Sequence, residues 1–204
     1  MPTSAETRYY PNILITGTPG VGKSCLAELL IDALSYVQLN YNVVNIGELI
    51  KTFDSSTMGE RDEEFDTVVL SDEGEDKLLD HLEDKLSYGV EESSKAGFIV
   101  DYHSCSLFPE RWFDLVLVLR ANTDVLFDRL VERGYSELKR TENLQCEIMN
   151  VVQEEAGESY AEEIVQEVRS DEVEDLDANC ERVKEWVKNW MSDQQYKKKK
   201  KSKE

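Results

Sequence analysis

Gly17-Thr18-Pro19-Gly20-Val21-Gly22-Lys23-Ser24 is the stretch on which the fold turns. It has the form G-x-x-x-x-G-K-[ST], a loop that wraps phosphate. Just before it, Asn12-Ile13-Leu14-Ile15-Thr16 is a short apolar run between Pro11 and Gly17, which reads as a buried strand. Just after it, Leu26, Leu29, Leu30, Ala33 and Leu34 recur at helical spacing, which predicts a helix over Cys25 to Leu34. The motif therefore sits between a strand and a helix, as its mechanism requires. Its glycines let the backbone from Gly20 through Val21 and Gly22 curl around an anion, and amides at the helix N-terminus point at phosphate oxygens. Lys23 would reach the β- and γ-phosphates of a nucleotide, and the Ser24 hydroxyl would ligate Mg²⁺.

Further strands follow the same grammar. Asn42 to Ile46, Gly97 to Asp101 and Asp114 to Leu119 are short apolar runs, and Glu163 to Val168 is a candidate fifth strand. The runs at 97–101 and 114–119 are nearly continuous in apolar residues, as expected of parallel strands covered on both faces. Between them lie helical patterns: Leu78, Leu79, Leu82 and Leu86 over about 72–88, a helix over 124–132 capped by Thr123, and a longer one from about Ser136 with Leu144, Ile148, Val151 and Val152 on one face. The last, over about 174–191, carries Leu176, Cys180, Val183, Val187 and Trp190. Residues 54–76 read as an exposed acidic loop with some helix, with nine carboxylates over 60–76. Alternating strands and helices imply an α/β fold, a five-stranded parallel sheet with helices on both faces and the ligand crevice at the carboxyl ends of the strands.

That crevice receives a second motif. Asp101 ends the apolar strand over 97–101, as a Walker B carboxylate does, and would hold Mg²⁺ together with Ser24. A strand-end Asp can also cap the next turn. His103 follows two residues later; a neutral imidazole there could orient or deprotonate an attacking water, or serve only in packing. Arg133, with Lys139 and Arg140 after it, forms a basic hairpin in an acidic chain, suited to a lid that closes over transferring phosphate; charge complementarity at a helix C-terminus is the alternative for Arg133. No D-x-x-G switch and no N-K-x-D base-reading motif occurs, which argues against a regulatory GTPase and leaves small nucleotide kinases and P-loop ATPases.

Composition bounds the rest. The chain of 204 residues fits one domain and carries a net charge of −20. Six lysines fall within 197–203; without them and Glu204 the remaining 17 basic and 42 acidic residues give −25. An acidic body suits docking of a basic protein, and a lysine tail suits a nuclear signal or RNA contact; solubility and a disordered end explain the same pattern. Cys25, Cys105, Cys146 and Cys180 form no C-x-x-C pair, which argues against a zinc site or disulfide scaffold and fits a reducing compartment. No apolar run approaches the roughly 18 residues of a membrane span, and Met1 to Tyr10 lacks an apolar signal region. The expected layout is a flexible N-terminus over 1–11, a kinase domain over 12–192 and a disordered lysine-rich tail over 193–204.

Five segments together resemble the adenylate kinase isoenzyme 6 family, nuclear ATPases that assist small-ribosomal-subunit assembly. They are the phosphate loop, Val100-Asp101-Tyr102-His103, Phe108-Pro109-Glu110-Arg111-Trp112-Phe113-Asp114, Arg133-Gly134-Tyr135 and Asn143-Leu144-Gln145-Cys146-Glu147-Ile148. The resemblance runs from about Asn12 to Met191. It implies an adenylate-kinase-like fold with a monophosphate arm at about 45–70 and a lid at about 132–142, transfer of phosphate from ATP to AMP, and ATP hydrolysis. It also implies binding to a small-subunit ribosomal protein during pre-ribosomal RNA cleavage, in nucleus and cytoplasm. Carried over, Gly20, Gly22, Lys23, Ser24 and Cys25 line the ATP phosphates, Arg133 begins the lid, and His103 matches the histidine of the family's D-x-H. Two departures stand out. Ser104-Cys105-Ser106 replaces the usual Gly-Cys-Asp, which removes a carboxylate near the site, and Cys25 replaces a threonine, so only its backbone amide contributes.

Overall fold

The computed structural model describes residues 8–62, 67–87 and 96–201. In chain order the elements are β1 (Ile13–Thr16), α1 (Lys23–Tyr36), β2 (Tyr41–Asn45), α2 (Ile46–Ile50), α3 (Ser55–Met58), β3 (Gly59–Asp62), β4 (Thr67–Leu70), α4 (Asp72–Ser87), β5 (Gly97–Asp101), β6 (Leu115–Arg120), α5 (Thr123–Glu132), α6 (Glu137–Ile148), α7 (Val151–Ser159), β7 (Val165–Arg169) and α8 (Val173–Lys201). Short 3₁₀ turns occupy Glu110–Trp112 and Glu162–Ile164.

Five strands pair in the order β2-β5-β1-β6-β7, all parallel, as the apolar runs predict. Side chains of β1 alternate between two cores because successive residues of a strand face opposite ways. Ile13 and Ile15 join Leu26, Leu30 and Leu34 of α1 and Val183 and Val187 of α8 on one face. Leu14 joins Leu78, Leu82 and Leu86 of α4, with Trp112 and Ala156, on the other. The chain builds β2 and β5 on one side of β1, then crosses to β6 and β7 on the other. Such a switch opens a crevice at the carboxyl end of β1, where the phosphate loop lies. The register aligns Asp101 with Ile15 and with Asn45, so three strand ends meet there.

Several expectations need correction. The acidic segment contains the expected helix, in α3 and the start of α4, but what reads as loop holds a further element: β3 and β4 form an antiparallel hairpin, apart from the main sheet. Val68, Val69 and Leu70 supply strand propensity that the surrounding carboxylates obscure. Gly59 permits the pairing, since a Cβ there would stand 2.0 Å from the Val69 carbonyl oxygen and its φ is +141°. The helix expected to run through Ile148 and Val152 is broken at Asn150, which adopts a left-handed φ of 57°. In consequence Val152 is buried while Ile148 and Val151 are exposed. Asn122 rather than Thr123 is the N-cap of α5, and its side chain bonds Asp171 instead of capping.

Both expected flexible ends are partly structured. Arg8 is buried against Asp114, and Pro11 accepts a hydrogen bond from Tyr41, so the lead-in from residue 8 is tucked into the body. The final helix continues to Lys201, ten residues past the predicted end at 191. Residues 193–201 contain neither Gly nor Pro, and Gln and Lys are good helix formers, so nothing local stops it. Residues 1–7 and 202–204 of the expected flexible ends lie outside the described residues. Among the described residues no helix is long and apolar enough to cross a membrane.

Candidate active site

The phosphate loop is shaped by three glycines with positive φ. Gly17, at +142°, leaves β1 where β6 passes closely: a Cβ would stand 2.5 Å from the Leu119 carbonyl oxygen. Gly20, at +101°, faces Leu126 and Leu130 of α5, and a Cβ would lie 2.8 Å and 2.9 Å from their side chains. Gly22 is different. It is the left-handed N-cap of α1, and a Cβ there would meet nothing within 4 Å. The cradle is open on that side. No side chain caps α1, and its first turn holds no acidic residue. The amides and the positive end of the dipole are thus left for an anion, which fits a nucleotide phosphate.

Lys23 Nζ donates to the carbonyl oxygens of Gly17, at 2.7 Å, and Thr18, at 3.1 Å. An ammonium has three protons, so one remains for a phosphate oxygen. Burial lowers its pKa to about 8, Arg133 adds to the fall, and Asp101 and Glu147 oppose it. Ser24 Oγ donates to Asp101 Oδ2 at 2.6 Å, and Asn45 Nδ2 donates to the same oxygen at 2.8 Å. A hydroxyl and a buried carboxylate side by side suit a hard cation that takes its other ligands from water and phosphate, the habit of Mg²⁺. Among the described residues no group of three His, Cys, Asp or Glu side chains could hold a metal by itself.

One cavity of about 550 Å³ is lined by Gly20, Gly22, Lys23, Ser24, Asp101, His103 and Arg133, all singled out from sequence. Two other candidates do not line it. Val21 is fully buried in the core, and Cys25 is exposed away from the cavity, so each can serve only through its backbone. His103 is exposed and lines the cavity, and its ring lies 4.3 Å from that of Tyr102. Desolvation first, then the Lys23 charge, hold the imidazole below its ordinary value of 6.5, so it is neutral at physiological pH.

Arg133 is the C-cap of α5 and reaches the cavity with no side-chain hydrogen bond or ion pair among the described residues. Gly134, φ +72°, then turns the chain into α6. The basic segment is therefore a helix–turn–helix rather than a hairpin. Lys139 lies 4.2 Å over the Tyr135 ring, and Arg140 Nη1 donates to the Tyr135 carbonyl oxygen at 2.6 Å. Tyr135 and Lys139 both line the cavity.

Sequence reasoning missed the supports. Glu147 is 3% exposed and accepts from Thr18 Oγ1 in the phosphate loop, from Arg120 Nε at 2.7 Å and from the Ala121 amide. Ser170 Oγ donates to the Val21 carbonyl oxygen. Glu147 lay inside the N-x-Q-C-E-I segment, but nothing local told which of its residues faces the loop.

Residues 13–150 match the AAA domain family. The chain is 46% identical over 178 residues to "Adenylate kinase isoenzyme 6 homolog" of Caenorhabditis elegans, covering 87% of this chain and 90% of that protein. It is 42% identical over 184 residues to "Adenylate kinase isoenzyme 6 homolog FAP7" of Saccharomyces cerevisiae, covering 90% and 85%. Among solved structures, shikimate kinase from Bacteroides thetaiotaomicron superposes with a TM-score of 0.53 at 16% identity, over 87% of this chain and 98% of that one, a likeness of fold alone. With its P-loop kinase fold and these relatives, the chain belongs to the adenylate kinase isoenzyme 6 family.

Proposed function

We propose that the protein transfers the γ-phosphate of ATP to AMP and also hydrolyses ATP. The convergence of Lys23, Ser24, Asp101, His103 and Arg133 on one cavity carries this reading. Lys23 and the amides of 20–25 would hold the β- and γ-phosphates; Ser24 and Asp101 would hold Mg²⁺, which supplies charge neutralisation between those phosphates. Arg133 and Lys139, at the start of a lid over about 132–142, would meet charge developing on the transferring group. AMP would enter from the arm at about 45–70, where β3 and β4 stand apart from the main sheet. A neutral His103 beside the magnesium carboxylate would take a proton from water, which gives the hydrolytic branch.

By resemblance to the family, the protein would work in the nucleus and cytoplasm in small-ribosomal-subunit maturation, at the stage of pre-ribosomal RNA cleavage. Its acidic surface would dock a basic small-subunit ribosomal protein, and the lysines beyond 196 would contact RNA. A second reading, an ATP-driven binding switch with negligible kinase activity, is favoured by the position of His103.

The experiment is ADP formation from ATP and Mg²⁺ by purified protein, with and without AMP. Strong stimulation by AMP, with two ADP formed per ATP consumed, supports the kinase. A slow rate indifferent to AMP supports the switch, and the ribosomal partner is then added.

A further inference from the structure

The loop that carries His103 leaves the sheet after Tyr102, whose amide donates to the Ile15 carbonyl oxygen of β1 at 3.1 Å, and beyond that residue no strand pairs its backbone. Its hydrogen-bonding groups must be satisfied elsewhere. They are satisfied by α7. Glu155 Oε1 accepts from Ser104 Oγ at 2.6 Å, from the Ser106 amide at 2.9 Å and from the Cys105 amide at 3.2 Å. One turn on, Tyr160 Oη donates to the Cys105 carbonyl oxygen at 2.7 Å. Three donors converge on a single carboxylate oxygen one residue after His103. The imidazole itself makes no side-chain hydrogen bond among the described residues; beyond its contact with Tyr102, only the backbone sets where it points.

We infer that Glu155 is a positioning residue for His103: its carboxylate fixes the 104–106 turn, and Ser104, in place of the family's glycine, adds a third donor to that clamp. The inference rests on the hydrolytic role proposed for His103. Glu155 also lines the cavity, so the clamp lies beside the reacting groups rather than behind the fold. Its pKa agrees: burial raises it, but the hydrogen bonds from Ser104, Ser106 and Cys105 outweigh burial and leave the carboxyl below its ordinary value. A carboxylate that stays ionised keeps accepting from all three donors.

Displacing a reacting group by about 1 Å can cost a hundredfold in rate. In Glu155→Ala, ATP hydrolysis should fall about tenfold to a hundredfold, while KM for ATP stays within about twofold. Glu155→Gln retains an acceptor oxygen and should recover most of that loss. The chain has two histidines, so a Glu155→Ala sample also carrying His81→Asn shows the His103 ring resonance alone. The expected result is a His103 ring signal that shifts or broadens relative to the His81→Asn control, together with the loss of turnover. A His103 signal that stays in place overturns the inference, as does a loss of turnover matched by an equal rise in KM. A shifted signal with unchanged hydrolysis supports the clamp and places the failure in the role given to His103. Should Glu155→Ala fail to fold, Ser104→Ala removes one donor and leaves both amide bonds; the same signal is then expected to move, and its constancy overturns the inference.

Discussion

Thr18 in the phosphate loop donates a hydrogen bond from its hydroxyl to Glu147, 129 residues away in α6. The same carboxylate pairs with Arg120 at the end of β6 and accepts from the Ala121 amide. Three elements that build the crevice are thus fastened at one buried point. In Glu147→Ala, three donors, Arg120 among them, lose their acceptor, while Arg120 keeps a longer contact of 3.8 Å with Glu167. Because Arg120 is 19% exposed and keeps its bond to Gln153, the loss should be about 3 kcal/mol rather than the upper end of the range for buried pairs. Urea denaturation measures it. ATP affinity should weaken as well, since Thr18 is part of the cradle. Glu147→Ala with wild-type stability would mean that the Arg120 contact contributes nothing.

Asp101 gathers hydrogen bonds from Ser24 and Asn45 on one oxygen, at 2.6 Å and 2.8 Å. If that cluster holds Mg²⁺, chelation by EDTA stops turnover and added Mg²⁺ restores it. Asp101→Ala should lower kcat about a hundredfold or more and shift the Mg²⁺ titration to higher concentration. An unchanged Mg²⁺ midpoint in that variant would place the cation elsewhere.

Lys23 is kept charged against the grain of its surroundings, as its pKa of about 8 records, with desolvation the largest cause. In the proposed function that charge serves phosphate rather than the fold. Lys23→Met, which removes the charge and keeps the stem, should leave thermal stability equal or higher while turnover falls about a hundredfold to a thousandfold. Parallel loss of stability and turnover would instead assign Lys23 a structural role through its bonds to Gly17 and Thr18.

Much of this site is legible in sequence because its residues act at fixed positions on short local motifs. Most of the loop from Thr18 to Ser24, Asp101 at a strand end and Arg133 before a helix-terminal Gly134 reach the cavity, and their types are those that the proposed phosphate chemistry uses. What is not legible depends on contacts between distant segments. Glu155 and Glu147 look like any exposed helix carboxylate until the fold sets them against Ser104 and Thr18. The β3–β4 hairpin is hidden for a related reason: the acidic residues around Val68 and Val69 mask a strand whose pairing depends on one glycine, Gly59. The break at Asn150 is equally silent, since a single left-handed residue interrupts an otherwise unbroken helical pattern.

The N-terminal segment supplies the last prediction. Arg8 and Asp114 are both nearly buried, with Nη1 donating to Oδ2 at 2.8 Å. Arg8 also donates to the carbonyl oxygens of Trp112 and Arg111, while the Asn12 amide donates to Asp114. Burial raises the Asp114 pKa, and the Arg8 charge, then the Asn12 amide, pull it back. Arg8→Ala therefore leaves a buried carboxylate with one amide donor and should destabilise by about 3–5 kcal/mol near neutral pH. The sign with pH follows from linkage. Without Arg8 the folded carboxyl rises further above its unfolded value of about 3.9, so the folded variant binds its proton more readily than the unfolded chain does. Protonation removes the buried charge, so the variant's deficit relative to wild type is largest above the raised folded value and shrinks as pH falls towards about 4. Chemical denaturation of both proteins at neutral pH and near pH 4 reads this directly. A deficit that is constant over that range would show that the packing of the arginine, not its charge, ties the N-terminus to β6.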